Sequence, residues 1–395
     1  MLRAVYGEGA HLKIALSELP AGEHGRTVKL CYGVLENDGY LGLCINQVAE
    51  KAPRPAIALA MKLALYATLF AELPRPVAVS EAVSLVKEIG KGGSAGFVNA
   101  ALRRFDETKV TIPDGIEGLC VRSNFPRFAV ERIVEVYGDR AESILLARSK
   151  GVSVRFKEHA ENYLHFPRLD TPFEQVKIFP RFVRDGGFDR GEYTFQSVGS
   201  VAICDVIEPC ESLLDACAAP GGKSVLLAEK CKSVTACELH AHRTALIESY
   251  CRRMHAENVT VRQADSALFE PAFEGAFDGV LCDVPCSGLG TVSENPDLPL
   301  RKNEGGMSEL HALQTAILGN CARYVKSGGH LYYSTCSILP EENDGIVGAF
   351  LKAHREFVVE NARSPLPHER TEYGLQFLPD TAFGAGFYVC KLRKL

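Results

Sequence analysis

The chain has 395 residues and a formal net charge of −5, and 46% of its residues are hydrophobic and 24% charged. This composition excludes a disordered, collagen-like or coiled-coil protein, and the length predicts two or three domains. Because the net charge is negative, the chain as a whole shows no general affinity for nucleic acid.

The sequence lacks the features of a membrane protein or a disulfide-stabilised protein. No apolar run reaches the ~18 residues of a transmembrane helix, and the N-terminus lacks the apolar core of a signal peptide. The 14 cysteines are scattered, without a Cys-x-x-Cys pair or a Cys/His cluster at ligand spacing. We therefore expect reduced thiols, no metal site, no membrane partner and a cytoplasmic location.

Residues 1–110 are predicted to form an all-helical domain, because apolar residues recur at near-helical spacing and few β-branched alternations appear. One segment is apolar on nearly all faces, as expected of a central bundle helix, and Pro74 and Pro76 end it. Ser80 is predicted to cap the next helix. The predicted helices are 26–36, 56–72, 80–89 and 97–105, with a glycine-rich loop at 90–96.

Residues 111–195 are predicted to be a linker and a mixed subdomain. The turn-rich sequence Thr-Ile-Pro-Asp-Gly at 111–115 marks its start. Two helices are predicted at 128–137 and 140–148. Strand-like runs follow at 152–156 and 179–183, among several glycines and prolines.

Residues 196–395 are predicted to form a doubly wound α/β domain, because short apolar strands alternate with amphipathic helices from residue 213 onward. Such sheets bind ligands at the C-terminal ends of their strands, so the candidate site residues are those that follow each strand. The predicted strands are 213–216, 233–238, 259–263, 277–281 and 329–334, and the predicted helices are 223–230, 243–254 and 308–324.

The loop after the first of these strands, residues 215–224, reads Asp-Ala-Cys-Ala-Ala-Pro-Gly-Gly-Lys-Ser. Its small residues allow a ligand to approach the backbone closely, and the following helix offers free N–H groups. The loop is neither a Gly-x-Gly-x-x-Gly dinucleotide motif nor a Walker loop. By itself it leaves open a ligand-binding loop or a plain glycine-rich turn.

Acidic residues follow the next two strands. Glu238 ends the second strand, at a place where a carboxylate typically accepts hydrogen bonds from ribose hydroxyls. Asp265 follows the third strand, where a carboxylate could accept from an adenine amino group. Each acid alone is more often a surface residue, but together they indicate a nucleoside pocket. Since no obvious phosphate clamp accompanies them, they point towards S-adenosylmethionine.

Two cysteines lie in polar, turn-rich loops after later strands. Cys286 lies in residues 283–290, Asp-Val-Pro-Cys-Ser-Gly-Leu-Gly. Cys336 lies in residues 333–343, Tyr-Ser-Thr-Cys-Ser-Ile-Leu-Pro-Glu-Glu-Asn. A single cysteine is usually an inert core residue. That interpretation fits these two poorly, because both loops would face the proposed cofactor.

These three loops, in this order, resemble the RNA cytosine-5 methyltransferases of the Sun/RsmB (NOL1/NOP2/Sun) family. The resemblance extends through residues 341–343 and 386–388, and upstream to the Gln-Ser element in residues 193–200. The N-terminal part resembles the NusB-like helical domain of the bacterial small-subunit rRNA members. The segments that carry this second resemblance are 32–35, 65–66, 78–79 and 96–103.

The resemblance implies an all-α NusB-like domain and a Rossmann-like methyltransferase domain that methylates carbon 5 of a cytosine in RNA, 16S ribosomal RNA by analogy. It implies that Cys336 attacks carbon 6, that Cys286 helps to remove the carbon-5 proton, and that Asp283 binds the N3/N4 edge. We expect S-adenosylmethionine as cofactor, RNA as partner and a monomer. The predicted cofactor-binding residues are Cys217, Ala218, Ala219, Pro220, Gly221, Gly222, Lys223, Glu238, Asp265 and Asp283.

Three other interpretations remain open. The same chemistry could act on tRNA or 23S rRNA. The chain could be a catalytically silent RNA-binding or assembly factor on the same scaffold, against which the two loop cysteines and the cofactor-loop acids argue. A small-molecule or protein methyltransferase would need neither the two cysteines nor a helical RNA-binding domain. The candidate RNA contacts are Arg103, Arg104, Arg122, Arg127, Arg301 and Lys302.

Overall fold

The computed structural model describes residues 1–17, 19 and 24–395. The chain forms two compact units. The first comprises Met1–Leu146 and Asn295–Asn303, and the second comprises Ala147–Glu294 and Glu304–Leu395. A short excursion of the chain near residue 300 therefore belongs to the N-terminal unit. The three segments predicted from the sequence, with limits at 110 and 195, stay a prediction.

The N-terminal unit is helical, as predicted, in the part that the structure describes. The fifth helix supplies much of its core, with Ile57, Met61 and Leu65 buried along one stripe. No helix among the described residues of the whole chain is both long and apolar enough to cross a bilayer. The helices are α1 (Leu2–Glu8), α2 (Leu12–Ser17), α3 (His24–Glu36), α4 (Asp38–Val48), α5 (Pro55–Phe70), α6 (Arg75–Glu88), α7 (Ala95–Arg104), α8 (Gly115–Ser123), α9 (Arg127–Tyr137) and α10 (Ala141–Leu146).

One local prediction for this unit is wrong, and four of its helices were missed. Helix α6 begins at Arg75, five residues before the predicted cap Ser80, because Pro76 is tolerated in the first turn of a helix, where an N–H has no intrahelical partner. Helices α1, α2, α4 and α8 were not predicted. Gly39 lowers the helix propensity of α4, but a side chain there would meet Val121 O of α8 at 2.9 Å, so close packing explains the glycine.

A small antiparallel sheet follows in the second unit. Its strands lie in the order β2-β3-β1-β4, with α11 (Gly186–Asp189) before the last strand. The predicted strand at 179–183 is displaced, because β3 ends at Phe179 and the next residue is Pro180, which has no N–H to donate. The strands are β1 (Val152–Phe156), β2 (Leu169–Asp170), β3 (Val176–Phe179) and β4 (Tyr193–Phe195).

The large sheet confirms the predicted doubly wound domain. All five predicted strands and all three predicted helices are present, and the limits of two strands agree with the prediction. The strands are β5 (Ser212–Asp215), β6 (Ser233–Glu238), β7 (Val259–Gln263), β8 (Phe277–Asp283), β9 (Val325–Thr335), β10 (Phe357–Glu360), β11 (Glu369–Arg370), β12 (Leu375–Phe377) and β13 (Phe387–Lys394). The helices are α12 (Val198–Val206), α13 (Gly222–Ala228), α14 (Ala241–Arg253), α15 (Met307–Tyr324) and α16 (Asp344–Ala353).

The strand order places the site. The order is β11-β12-β13-β9-β8-β5-β6-β7, and β10 also pairs with β13. Strands β9, β8, β5, β6 and β7 are parallel, whereas β13 runs antiparallel to β9. From β5 the chain adds β6 and β7 on one side of the sheet, and from β8 it adds β9 on the other side. Ligands bind at such a switch point, so the loops after β5, β8 and β9 meet at one edge.

Candidate active site

The loop after β5 forms a cradle between Asp215 and α13. The Asp215 side chain is buried, and its Oδ2 accepts a hydrogen bond from Ser224 Oγ at 2.6 Å. Burial raises the pKa of this carboxyl to about 6. Its Oδ1 has no hydrogen-bond partner among the described residues. Gly221 has φ +106°, which glycine adopts without strain.

Behind this cradle, the Gln-Ser element anchors the start of α13. Gln196 Nε2 donates to Gly222 O at 3.1 Å, and Gln196 Oε1 accepts from Arg155 Nε at 2.8 Å. Arg155 is fully buried and forms an ion pair with Glu229 at 2.7 Å. Arg155 could not be singled out from the sequence, because a lone arginine in a strand carries no signal of burial.

The loops after β5, β6 and β7 contact one another. Ala218 N donates to Cys237 O at 2.9 Å, and Ser266 Oγ donates to Ala216 O at 2.5 Å. Glu238 is buried, and its carboxylate accepts from His240 N at 3.0 Å and lies 3.3 Å from Arg243. The structure thus brings the three loops of the predicted nucleoside pocket to one place.

Asp265 lies in the loop after β7. It is exposed, and its Oδ1 accepts from Ala267 N at 2.9 Å. The donor set at this edge fits S-adenosylmethionine. Small residues leave room beside the backbone, carboxylates follow successive strands, and the buried Asp215 Oδ1 is an acceptor still to be satisfied. The individual roles assigned to residues 217–223, Glu238 and Asp265 stay predictions.

An ion pair links the cradle to the loop of the first cysteine. Lys223 Nζ lies 2.7 Å from Asp283 Oδ2, and Asp283 Oδ1 accepts from Ser334 Oγ at 2.8 Å. Burial by itself would lower the pKa of Lys223, but the Asp283 carboxylate outweighs it and raises this pKa above its usual value. Lys223 is therefore charged and forms an ion pair with Asp283.

The two loop cysteines lie side by side. Their Sγ atoms are 2.9 Å apart, and Cys336 N donates to Cys286 Sγ at 3.2 Å. The hydrogen bond with Cys336, burial, and the negative charges of Cys336 and Glu342 all raise the pKa of Cys286 well above its usual range. The backbone N–H of Cys336 acts in the opposite direction and lowers the pKa of Cys286. The structure therefore brings the two thiols into contact, and the assignment of Cys336 as the nucleophile stays a prediction.

Glu342 joins the loops that carry the two cysteines. Its carboxylate is fully buried, and Oε1 accepts from Ser287 N at 2.7 Å and from Gln314 Nε2 at 2.9 Å. Oε2 accepts from the hydroxyls of Ser287, at 2.5 Å, and Ser337. Sequence analysis noted Glu342 only within the family motif. Its position six residues after Cys336, in the sequence Pro-Glu-Glu-Asn, was the available signal.

Five of the six basic residues proposed to contact RNA, the arginines, make hydrogen bonds within the N-terminal unit. Arg122, Arg127 and Arg301 each pair with a carboxylate within 2.8 Å. Arg104 donates to a backbone carbonyl, and Arg103 to the side chain of Asn99. These contacts cost part of each guanidinium's capacity to bind phosphate, and the assignment of RNA contacts stays a prediction.

Two family models match separate parts of the chain, and known proteins match nearly all of it. Residues 205–393 match the model described as 16S rRNA methyltransferase RsmB/F, and residues 2–107 match that of the NusB family. The probable ribosomal RNA small subunit methyltransferase B of Bacillus subtilis (strain 168) is 30% identical, over 96% of this chain and 93% of the relative. Ribosomal RNA small subunit methyltransferase B of Erwinia tasmaniensis is 28% identical, over 93% and 89%.

Solved structures show the same fold. The crystal structure of PH0851 has a TM-score of 0.85 and 24% identity, and covers 100% of this chain and 97% of that chain. The structure of NSun6 from Pyrococcus horikoshii with SFG has a TM-score of 0.61 and 18% identity, over 69% of this chain and 99% of that chain. The large domain therefore has a Rossmann-like methyltransferase fold, as predicted.

Proposed function

The chain belongs to the RsmB/F family of ribosomal RNA small subunit methyltransferases, and we propose that it methylates carbon 5 of a cytosine in 16S ribosomal RNA with S-adenosylmethionine as methyl donor. The observation that carries this proposal is the pair of thiols, Cys286 and Cys336, 2.9 Å apart beside the cofactor cradle. Methylation of a ring nitrogen or a hydroxyl needs no thiol nucleophile, whereas methylation of carbon 5 does.

Carbon 5 of cytosine is too weak a nucleophile to react directly. Addition of the Cys336 thiolate to carbon 6 moves the electrons of the carbon 5–carbon 6 double bond onto carbon 5, which then bonds the methyl group. S-Adenosylmethionine, when bound, supplies that methyl group as an electrophile. Loss of the carbon-5 proton restores the double bond and expels Cys336. The covalent step divides one difficult reaction into easier ones.

Cys286 is suited to the later proton transfer. The hydrogen bond and the charge of Cys336 are among the causes of its raised pKa. Both disappear when Cys336 becomes bonded to carbon 6, so the pKa of Cys286 falls at the stage that requires a base. In this proposal Cys286 contacts Cys336 before attack and accepts the carbon-5 proton, directly or through water, after methyl transfer.

The remaining residues hold the two reactants. Asp283, oriented by Lys223 and Ser334, would accept a hydrogen bond from the cytosine amino group. The cradle of residues 217–223 would hold the methionine part of the cofactor, and Glu238 and Asp265 its ribose and adenine. The target base must leave its stack to reach the thiols, as bases do in other enzymes that modify them.

The test is methyl transfer to protein-free 16S rRNA from labelled S-adenosylmethionine, with the labelled nucleoside identified by mass spectrometry. Label in 5-methylcytosine is the expected result. Cys336→Ala should abolish it while leaving cofactor binding intact, and Cys210→Ala, a half-buried cysteine in another loop, should not.

Other outcomes would replace this function. Label found only in tRNA or 23S rRNA would change the substrate. Label in a nucleoside other than 5-methylcytosine, or full activity of Cys336→Ala, would overturn the chemistry. Cofactor binding without transfer to any RNA would support the assembly-factor interpretation.

A further inference from the structure

Glu342 is hydrogen-bonded to the residue that follows each of the two cysteines. Ser287 comes directly after Cys286, and Ser337 directly after Cys336, and both hydroxyls donate to the same carboxylate oxygen. Because all four donors to Glu342 are neutral, the carboxylate is stabilised by directed hydrogen bonds rather than by an ion pair. Directed bonds of this kind determine where each loop lies.

The third partner of Glu342 reinforces the first loop. Gln314 projects from α15, and its Nε2 donates both to Glu342 and, at 2.9 Å, to Pro285 O, the residue before Cys286. Cys286 is therefore held on both sides, through Pro285 and through Ser287. On the other loop, Ser337 Oγ also accepts from Leu339 N at 3.1 Å, so its hydroxyl is oriented towards Glu342.

We infer that Glu342 is a positioning residue that holds the thiols of Cys286 and Cys336 in contact. Burying a carboxylate costs free energy unless its oxygens accept hydrogen bonds. An apolar side chain would fill the same volume without that cost. The geometric part of the inference concerns the free protein. Its catalytic consequence rests on the proposed function.

Glu342→Gln is the informative substitution because it preserves volume. If the new amide nitrogen replaces Oε1, it faces the N–H donors of Ser287 and Gln314. If it replaces Oε2, the two serine hydroxyls, which already accept from Leu289 N and Leu339 N, must rotate to accept from it and lose the oxygen to which they donate. Either orientation removes hydrogen bonds that the carboxylate accepts, so the loops shift although the core remains filled.

The matched control is Asp344→Asn. Asp344 lies two residues further along and also accepts several hydrogen bonds, from Thr371, Glu372 and Tyr388. Its partners belong to the C-terminal part of the sheet and not to either cysteine loop. The control removes the same charge from the same region, so it separates positioning of the thiols from general stability.

The first measurement needs no RNA. Dibromobimane becomes fluorescent when it bridges two neighbouring thiols, and peptide mass spectrometry identifies the bridged pair. The Cys286–Cys336 bridge should form about tenfold more slowly in Glu342→Gln than in the wild-type chain, on the scale at which a small misplacement alters a reaction. The Cys210–Cys231 pair, whose Sγ atoms are 3.5 Å apart, supplies an internal reference that should not change.

The second measurement is methyl transfer. In Glu342→Gln, kcat should fall about ten- to a hundredfold, with KM for RNA and cofactor affinity within about twofold, because the lost property is alignment of reacting groups. Glu342→Asp, which keeps the carboxylate but shortens the reach, should be intermediate. Thermal unfolding of each variant reports whether it is folded.

Unchanged bridging and unchanged kcat in Glu342→Gln would overturn the inference. So would a fall in kcat that Asp344→Asn reproduces. If bridging slows in Glu342→Gln but the wild-type chain methylates no RNA, the proposed function fails while the positioning of the thiols by Glu342 is confirmed.

Discussion

At the scale of single residues, Cys286 and Cys336 share one contact and differ in their other surroundings. Cys286 is the thiol whose pKa is raised, through its hydrogen bond with Cys336, burial and nearby negative charge. Cys336 directs its own backbone N–H towards Cys286 Sγ. Our proposal gives attack to Cys336 and proton transfer to Cys286, a division that spacing in the sequence cannot reveal and that the next experiment tests.

Replacing Cys286 with Ala should trap the protein on its RNA. Without Cys286 the carbon-5 proton is removed slowly, so the bond from Cys336 to carbon 6 persists after methyl transfer. We expect a protein–RNA adduct that survives a denaturing gel and is absent from Cys286→Ala/Cys336→Ala. An adduct that forms equally in Cys336→Ala would reverse the roles of the two thiols.

At the scale of secondary-structure elements, packing rather than propensity decides where several helices form. Gly39 and Gly42 both lie in α4, but only Gly39 faces a neighbouring helix closely. A side chain at Gly42 meets open space. Substitution of each glycine by alanine therefore measures packing at Gly39 and helix propensity at Gly42.

Gly39→Ala should destabilise the protein by about 1–3 kcal/mol, the usual cost of overpacking, because its Cβ would lie 2.9 Å from Val121 O. Gly42→Ala should instead be neutral or stabilising by up to about 1 kcal/mol, because Ala is a better helix former. Urea denaturation of the two variants measures both. Equal effects would show that α4 and α8 are not packed as described.

The outer strands of the large sheet are joined by a polar cluster around Glu360 of β10. Lys391, Arg393 and His330 surround its carboxylate at 2.7–3.1 Å. The hydrogen bond from Lys391 is the largest cause that lowers the pKa of Glu360 from 4.5 to about 2, and it outweighs the opposing effect of burial. The cluster connects β10 and β13 with β9.

This cluster predicts a loss of stability in acid. The folded state holds the pKa of Glu360 near 2, below its ordinary value of 4.5. Its contribution is therefore complete above about pH 4.5 and disappears as the pH falls towards 2. The unfolding free energy of the wild-type chain, measured by urea denaturation, should fall more steeply over that range than that of Glu360→Gln. Parallel pH profiles would contradict the assignment.

At the scale of the whole molecule, the chain combines a NusB-like helical region with a Rossmann-like methyltransferase domain. The second unit carries the candidate site, and residues Asn295–Asn303, which follow the first cysteine loop, belong to the first unit. Within that unit, Asp297 accepts from Leu12 N at 3.3 Å and from Arg301 at 2.8 Å. Unit membership thus does not follow the order of the chain.

Addition of S-adenosylmethionine should protect the second unit selectively from hydrogen exchange. At 100 times its Kd, a ligand that binds only the folded state stabilises it by about 2.7 kcal/mol. Peptides that cover residues 215–224, 233–240 and 259–268 should gain protection, while those that cover α5 should not. Protection confined to α3–α7 would show that the cradle after β5 is not the cofactor site.

The sequence by itself determined the elements whose signals are local. Alternation of apolar strands and amphipathic helices located β5 to β9, and the residues after each strand named the cradle and both cysteines. Family motifs added the chemistry. The predicted strands and helices are confirmed, because side-chain periodicity and glycine-rich turns act over a few neighbouring residues.

The tertiary structure alone decided the features that depend on partners distant in the chain. Helices α4 and α8, the displaced β3 and the antiparallel strands β10 to β13 exist because they pack or pair with remote segments. The same holds at the site. Cys286 and Cys336 are 50 residues apart in sequence but 2.9 Å apart in space. Glu342 gains its role only where both of their loops meet, since a carboxylate becomes a positioning group through the donors that folding brings to it.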